Sequence, residues 1–300
     1  MKSFSPQTLT LRDAFAKVRS IPPPTNTAFI SAQWCFLTDG FFSATPEAIA
    51  YHQALRVKQA LVNQGIPVES LTVVDACSGT GANSIQFASV GFRVIAIEVD
   101  PTRVAMAMHN AEVYGVRSQI EFVCADFFDW ARAELGRCQS RNSHTSPPYA
   151  ALFMSPPWGG PAYLDEDVFD LDWIQFGPHN AAVGCTFWFS VQLASQLTGG
   201  NVLLFLPRNS NMAQLPLLSQ CINSTTFWST PSKLSLEVEV NVLNAKFKAI
   251  SIYSNSLCYR SKGRREQLKS AASPAEVVKC TATTTEVAVP DCGSCLTVVD

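Results

Sequence analysis

The sequence predicts an α/β fold in which a mostly parallel sheet is covered by helices on both faces and closed by an antiparallel hairpin. Three observations carry that expectation. Short apolar runs alternate with amphipathic stretches from about Leu71 to Leu206. A tight Gly79-Thr80-Gly81 turn directly follows the first apolar run. Two further runs flank Leu243-Asn244-Ala245. Alternating strands and helices make parallel sheets, because each crossover helix returns the chain to the same end. Strands joined by a tight turn must run antiparallel.

Residues 1–44 read as an irregular N-terminal extension that contributes to the site; they hold Pro22-Pro23-Pro24 and the aromatics Trp34, Phe36, Phe41 and Phe42. Thr45-Pro46-Glu47 signals a helix start, with threonine as N-cap and proline in the first turn. Ile49, Ala50, Ala54, Val57 and Leu61 then carry a helical period to about Val62. Strands are expected at 71–75, 93–97, 119–124, 150–154 and 201–206. Helices are expected at 83–89, 101–114, 127–135, 186–197 and 212–221. Residues 136–148, rich in Arg, Ser and Asn, read as a polar loop. The closing hairpin spans 234–242 and 246–252. Past Leu257 the apolar period is lost, so residues 258–300 are expected to be a disordered tail and 45–257 the folded domain.

Nearly half of the 300 residues are apolar, enough for a large core. The formal net charge of −2 gives no global field to attract nucleic acid, so any such contact must rest on local basic residues. Ten cysteines without a disulfide-rich spacing, and a polar N-terminus without a secretory signal, suggest a reducing compartment. No apolar run is long enough to span a bilayer.

The first strand ends in Asp75, and the Gly79–Gly81 turn would let backbone approach a ligand. A dinucleotide-binding loop would favour a third glycine, and Ser84 stands there instead. The second strand ends in Glu98, where a carboxylate can accept two hydrogen bonds from a ribose diol. Asp126 follows the third strand, placed to accept an adenine amine, with Phe127 beside it to pack on the ring. Three acidic strand ends in register form the pattern of an S-adenosylmethionine pocket, with Asp75 facing the methionine ammonium. This defines a Rossmann-like class I S-adenosylmethionine-dependent methyltransferase.

Ser155-Pro156-Pro157-Trp158-Gly159-Gly160-Pro161 follows the fourth strand. Proline has no N–H, but its carbonyl accepts. Ser155 and Pro156 can therefore hold a flat amino group, and Trp158 offers a stacking face. The residues alone fit methylation of an exocyclic amine on a base. That leaves open adenine N6, guanine N2, or a binding protein that has lost catalysis; the intact acidic strand ends argue against the last.

From about Gly40 to Tyr253 the sequence resembles the trimethylguanosine synthase family. The likeness rests on Phe42-Ser43-Ala44-Thr45-Pro46-Glu47, the Asp75 loop with Asn83-Ser84-Ile85-Gln86, Asn110-Ala111-Glu112-Val113-Tyr114-Gly115, Ser155 to Tyr163, and Leu206-Pro207-Arg208-Asn209. The resemblance implies methylation of N2 of a 7-methylguanosine RNA cap to the 2,2,7-trimethyl form, on small nuclear and nucleolar RNAs. It implies that Ser43, Thr45, Gly79, Gly81 and Asn83 surround the cofactor and that Asn110 meets the guanine edge. Trp158 would stack on the methylated base, and Arg208 would take the cap phosphates. Small ribonucleoprotein proteins are implied as partners, and the nucleus or nucleolus, with the cytoplasm as a further location.

The chain departs from the family at Ala82, where a glycine is common, at Glu98, where aspartate is usual, and in having no lysine between Lys17 and Lys58. His52, His109 and His179 lack clustered ligands, and Cys292-Gly-Ser-Cys295 lacks a second pair, so no metal is expected.

Overall fold

The computed structural model describes residues 44–62, 67–140, 146–177, 185–223, 235–258 and 295–296. In chain order the elements are α1 (Glu47–Val62), β1 (Thr72–Asp75), α2 (Ala82–Ser89), β2 (Arg93–Glu98), α3 (Pro101–Val113), β3 (Ile120–Cys124) and α4 (Phe127–Ser140). There follow β4 (Ala151–Met154), α5 (Phe187–Thr198), β5 (Val202–Pro207), α6 (Leu215–Asn223), β6 (Leu236–Leu243), β7 (Lys246–Ser254) and the short β8 (Cys295–Leu296).

One sheet runs in the order β3-β2-β1-β4-β5-β7-β6-β8. Strands β1 to β5 are parallel, while β7 is antiparallel to both β5 and β6. The strand order reverses between β1 and β4. Open α/β sheets leave a crevice at such a switch point, beyond the carboxyl ends of the strands.

Side chains alternate faces along each strand, and here both faces are dry. Val73 and Phe153 pack on one side with Val57 of α1, Phe87 of α2 and Ala111 of α3. Val74, Leu152 and Met154 pack on the other with Phe128 of α4, Phe187 of α5 and Leu218 of α6. That is why β1 and β4 read as unbroken apolar runs rather than alternating ones.

The local signals explain most boundaries. Asp100 caps α3 by accepting from the Thr102 N–H, with Pro101 in the first turn, and Thr186 caps α5 by accepting from the Phe189 N–H. At α1 the first helical carbonyl belongs to Pro46, which accepts from Ala50, so the helix starts one residue later than a Thr45 cap implies. Helix α4 runs to Ser140, past the expected end at Leu135, and occupies part of the expected polar loop. Its last turn is exposed and joined by an Arg137–Glu134 ion pair three residues apart. The hairpin turn places Asn244 and Ala245 at φ 54° and 56°, the left-handed pair whose twist matches the flanking strands. No helix among the described residues is long and apolar enough to cross a membrane.

Candidate active site

Five parallel strands deliver five groups to one edge of the sheet. In spatial order from β3 to β5 these are Asp126, Glu98, Asp75, the Ser155–Trp158 turn and Arg208. Neighbouring strands lie about 4.8 Å apart, so the row spans roughly 20 Å.

Asp75 is 1% exposed. Its Oδ2 accepts from the Ser84 hydroxyl at 2.6 Å, and its Oδ1 is buried without a partner. Burial pushes its pKa up to about 7, against the pull of the Ser84 hydrogen bond. Ser84, at the position of the missing third glycine, thus has a duty that glycine could not fill. The Ser78 hydroxyl in the same loop is also buried and unpartnered. Glu98 accepts from the Gly79 N–H at 2.9 Å and the Asp100 N–H at 3.0 Å, one to each oxygen. Burial raises its pKa, with those N–H groups opposing the rise. Gly79 has φ +53° and nothing within 4 Å of an added Cβ, so the loop leaves open space above it. Gly81, at φ +89°, has the Ala107 Cβ only 3.2 Å from where its own would be, because α3 packs directly beneath.

These residues fit S-adenosylmethionine. A bare carboxylate oxygen awaits a cation at Asp75. Glu98 is fixed by backbone donors and keeps lone pairs for a diol. The glycine loop leaves room for close approach.

Several other predicted site residues have additional or different roles. Asn83 donates to Gln53 Oε1 at 2.8 Å, and Gln53 donates on to Ser251 at 2.9 Å, which ties the start of α2 to α1 and β7. Thr45 is buried at the mouth of α1, while Ser43 lies outside the described residues. Asp126 Oδ1 accepts from the N–H groups of Phe128 and Asp129 and so caps α4. Phe127 is 4% exposed and packs on Phe128, leaving little ring for adenine. Asn110 was expected at the guanine edge. It is instead fully buried and donates to the Thr80 carbonyl at 3.0 Å, holding the cofactor loop from behind.

On the acceptor side, Ser155 is half-buried and Pro156 buried. The half-buried Trp158 ring meets Tyr163 edge-on at 5.4 Å and Phe205 at 5.5 Å. Gly159 and Gly160, at φ 82° and 76°, turn the chain away immediately after it. Asn209, which the sequence reading left without a role, fixes this turn. Its amide donates to the carbonyls of Tyr163 at 2.8 Å and Glu166 at 2.7 Å, and its backbone carbonyl accepts from Phe169. Its place beside Arg208 in Pro207-Arg208-Asn209 was the available signal. Arg208 itself is exposed at the end of β5, and its charge acts on the Tyr163 hydroxyl, whose pKa is raised by burial and lowered by Arg208. Among the described residues no group of three or more His, Cys, Asp or Glu could hold a metal ion.

An open parallel sheet with an acidic cofactor row and a Pro-Pro-aromatic turn at its switch point defines a Rossmann-like class I methyltransferase that uses S-adenosylmethionine. The RNA cap guanine-N2 methyltransferase family model matches residues 70–265. The chain belongs to that family. It is 33% identical over 176 residues to the trimethylguanosine synthase of Schizosaccharomyces pombe, covering 58% of this chain and 63% of that protein. It is 33% identical over 182 residues to the trimethylguanosine synthase of Saccharomyces cerevisiae, covering 60% and 50%. The matched region thus spans about half to under two thirds of the length of these curated relatives. Among solved structures, a methyltransferase from Agrobacterium tumefaciens is similar with a TM-score of 0.47 at 15% identity, covering 71% of this chain and 62% of that one.

Proposed function

We propose that this chain methylates the exocyclic N2 of 7-methylguanosine in an RNA cap and carries it to the 2,2,7-trimethyl form. One observation carries the reading: the order of groups along the sheet edge. Glu98 and Asp75 form the donor side, the turn carrying Trp158 follows the next strand, and Arg208 follows the one after. A donor, a flat base and a phosphate chain would lie along the edge in that sequence.

S-adenosylmethionine, when bound, supplies a methyl group on a positively charged sulfur. The chain's own residues supply position. Asp75 Oδ1 holds the ammonium and Glu98 the diol. The Trp158 face holds the base, and the positive charge of a 7-methylguanine strengthens its attraction to the indole. Ser155 and the Pro156 carbonyl hold the amine in line with the methyl. Arg208 takes the phosphates. With donor and amine so held, the methyl group would pass from sulfur to N2, the S–C bond breaking as the N–C bond forms, and the amine proton would pass to water without a strong base from the chain. Positioning of this kind can lower a barrier by up to roughly 7–11 kcal/mol.

Mass spectrometry of a 7-methylguanosine cap analogue after incubation with the chain and cofactor tests the reading. Gains of one and two methyl masses on the base are expected. Methylation of an unmethylated cap at an equal rate, or of adenine, would overturn it.

The proposal extends to caps of small nuclear and nucleolar RNAs, with small ribonucleoprotein proteins as partners. It places the chain in the nucleus or nucleolus, with passage through the cytoplasm. Family membership supports this, and cap analysis of RNAs from depleted cells, with imaging of the tagged chain, tests it. The proposal also takes residues 45–257 as the methyltransferase domain, because α1 begins at Glu47 and β7 ends at Ser254. The short strand β8 (Cys295–Leu296), paired with β6, departs from the expectation of a wholly disordered tail. Limited proteolysis that removes 1–44 and cuts between Leu257 and Cys295 but spares the centre would support those bounds.

A further inference from the structure

The hairpin β6–β7 ends on the same sheet edge as the site. Strand β7 is antiparallel to β5, so the start of β7 lies at the carboxyl end of β5. The last pair is Pro207 with Ala249, which brings position 248 level with Arg208. The β6–β7 register is interrupted here: Asn241 pairs with Ala249 but Val242 with Phe247, leaving Lys248 as the extra residue of a bulge. Bulges re-aim a side chain and recur beside functional sites. Lys246 pairs with Leu243 at the tip, next to the turn.

Arg208 and Lys246 are exposed and Lys248 half-buried. None of the three pairs with a carboxylate among the described residues. Like charges at neighbouring positions of paired strands repel, and this cluster has no internal relief. The acidic run Asp165-Glu166-Asp167 lies against the loop that follows β5, where Asn209 donates to the Glu166 carbonyl and Phe169 pairs with Ser210. Lys246 and Lys248 stand on the neighbouring strand β7.

We infer that Lys246 and Lys248 bind RNA phosphodiesters immediately downstream of the cap, continuing the line from Arg208 out over the hairpin. The inference rests on the cap reading above. It gives the chain a phosphate grip on a strand next to β5.

Binding is read with two labelled ligands, 7-methylguanosine triphosphate and a capped RNA of about ten nucleotides, over a series of salt concentrations. The parent chain is compared with Lys246→Ala/Lys248→Ala and with the charge-reversed Lys246→Glu/Lys248→Glu. Both double variants alter a surface hairpin and should keep parental affinity for S-adenosylmethionine. For the alanine variant, capped-RNA affinity should fall roughly tenfold. Its logarithmic salt dependence should become shallower by about 1.4, since each of the two phosphates neutralised on a single strand contributes roughly 0.7. Affinity for 7-methylguanosine triphosphate should stay within about twofold. The charge-reversed variant should lose more on RNA alone. Unchanged capped-RNA binding would overturn the inference. So would an equal loss on both ligands, because the hairpin would then hold the cap triphosphate. Failure of the parent chain to yield methylated cap would instead refute the functional reading, while the salt series would still report on the hairpin.

Discussion

The Ser84 hydroxyl donates to Asp75 Oδ2 at 2.6 Å and leaves Oδ1 bare at the end of β1. The serine fixes the carboxylate's orientation from inside α2, while the backbone N–H groups of Cys77 and Ser84 act on the carboxylate without closing a hydrogen bond to Oδ1. A buried acceptor without a partner is costly, and a ligand cation removes that cost.

The first prediction concerns pH. Burial raises Asp75 from an ordinary 3.8 to about 7, so the folded chain keeps a proton that the unfolded chain loses above about 4. This group's contribution to stability is full below about pH 4 and is lost as pH rises through about 7; it amounts to roughly 4 kcal/mol. In cofactor-free protein, Asp75→Asn should therefore gain on the parent in thermal melts as pH rises from 5 to 8. Parallel pH profiles would contradict the assignment. Cofactor ammonium favours the ionised form, so parental affinity should climb as pH rises toward 7. Calorimetry in buffers of different ionisation heat should register proton release on binding.

Trp158→Ala removes the stacking face but leaves the Asp75 loop untouched. Methylation of a 7-methylguanosine cap should fall at least a hundredfold, and cofactor affinity should stay within about twofold of the parent. Normal turnover on the cap would show that the base stacks elsewhere.

Asn209→Asp keeps the shape of a residue whose two amide N–H bonds meet carbonyl oxygens, but it presents oxygen to them instead. The turn carrying Tyr163 should loosen, and with it the edge contact on Trp158. We expect the KM for the cap to rise about tenfold while cofactor Kd is unchanged. The same rise on 7-methylguanosine nucleoside would show that the effect passes through Trp158. A rise confined to phosphorylated ligands would assign it to Arg208.

Arg56 is buried between Glu237 and Glu239, with its guanidinium 3.8 Å from the centre of the Tyr253 ring and His52 bonded to Glu239 at 2.9 Å. Burial alone would raise the Glu239 pKa; His52 and Arg56 overcome it and hold the carboxyl below its usual range. Arg56→Met takes the guanidinium away from two buried carboxylates, leaving His52 on Glu239, and should cost about 3–5 kcal/mol in urea denaturation. Replacing Glu237 and Glu239 by apolar residues in the same variant should recover most of it. A loss under 1 kcal/mol in the single variant would mean that the cluster is hydrated.

The main architecture was legible because its signals are local. The crossovers follow from periods of two and 3.6, the cofactor row from charges at strand ends, and the acceptor turn from a short motif. What was hidden depends on distant pairing. Leu236-Glu237-Val238-Glu239-Val240-Asn241 reads as a strand with one wet face. That face is in fact buried, because α1 offers Arg56 and Gln53 about 180 residues earlier in the chain. Asn110 looked like a ligand contact because it sits in a specific motif, yet its amide is occupied by Thr80. Asn209 was quoted in a motif but its partners lie in a turn whose path only the fold reveals.

The row of strand ends also imposes a direction of entry. A base on Trp158 would have the donor's place on one side, at Asp75 and Glu98, and Arg208 on the other. Every backbone arm of a nucleoside leaves through its ribose, away from the amine that must face the donor. The ribose and its phosphates would then be turned toward Arg208, so the orientation of the bound nucleoside would follow from the order of the strands, before any base edge is read.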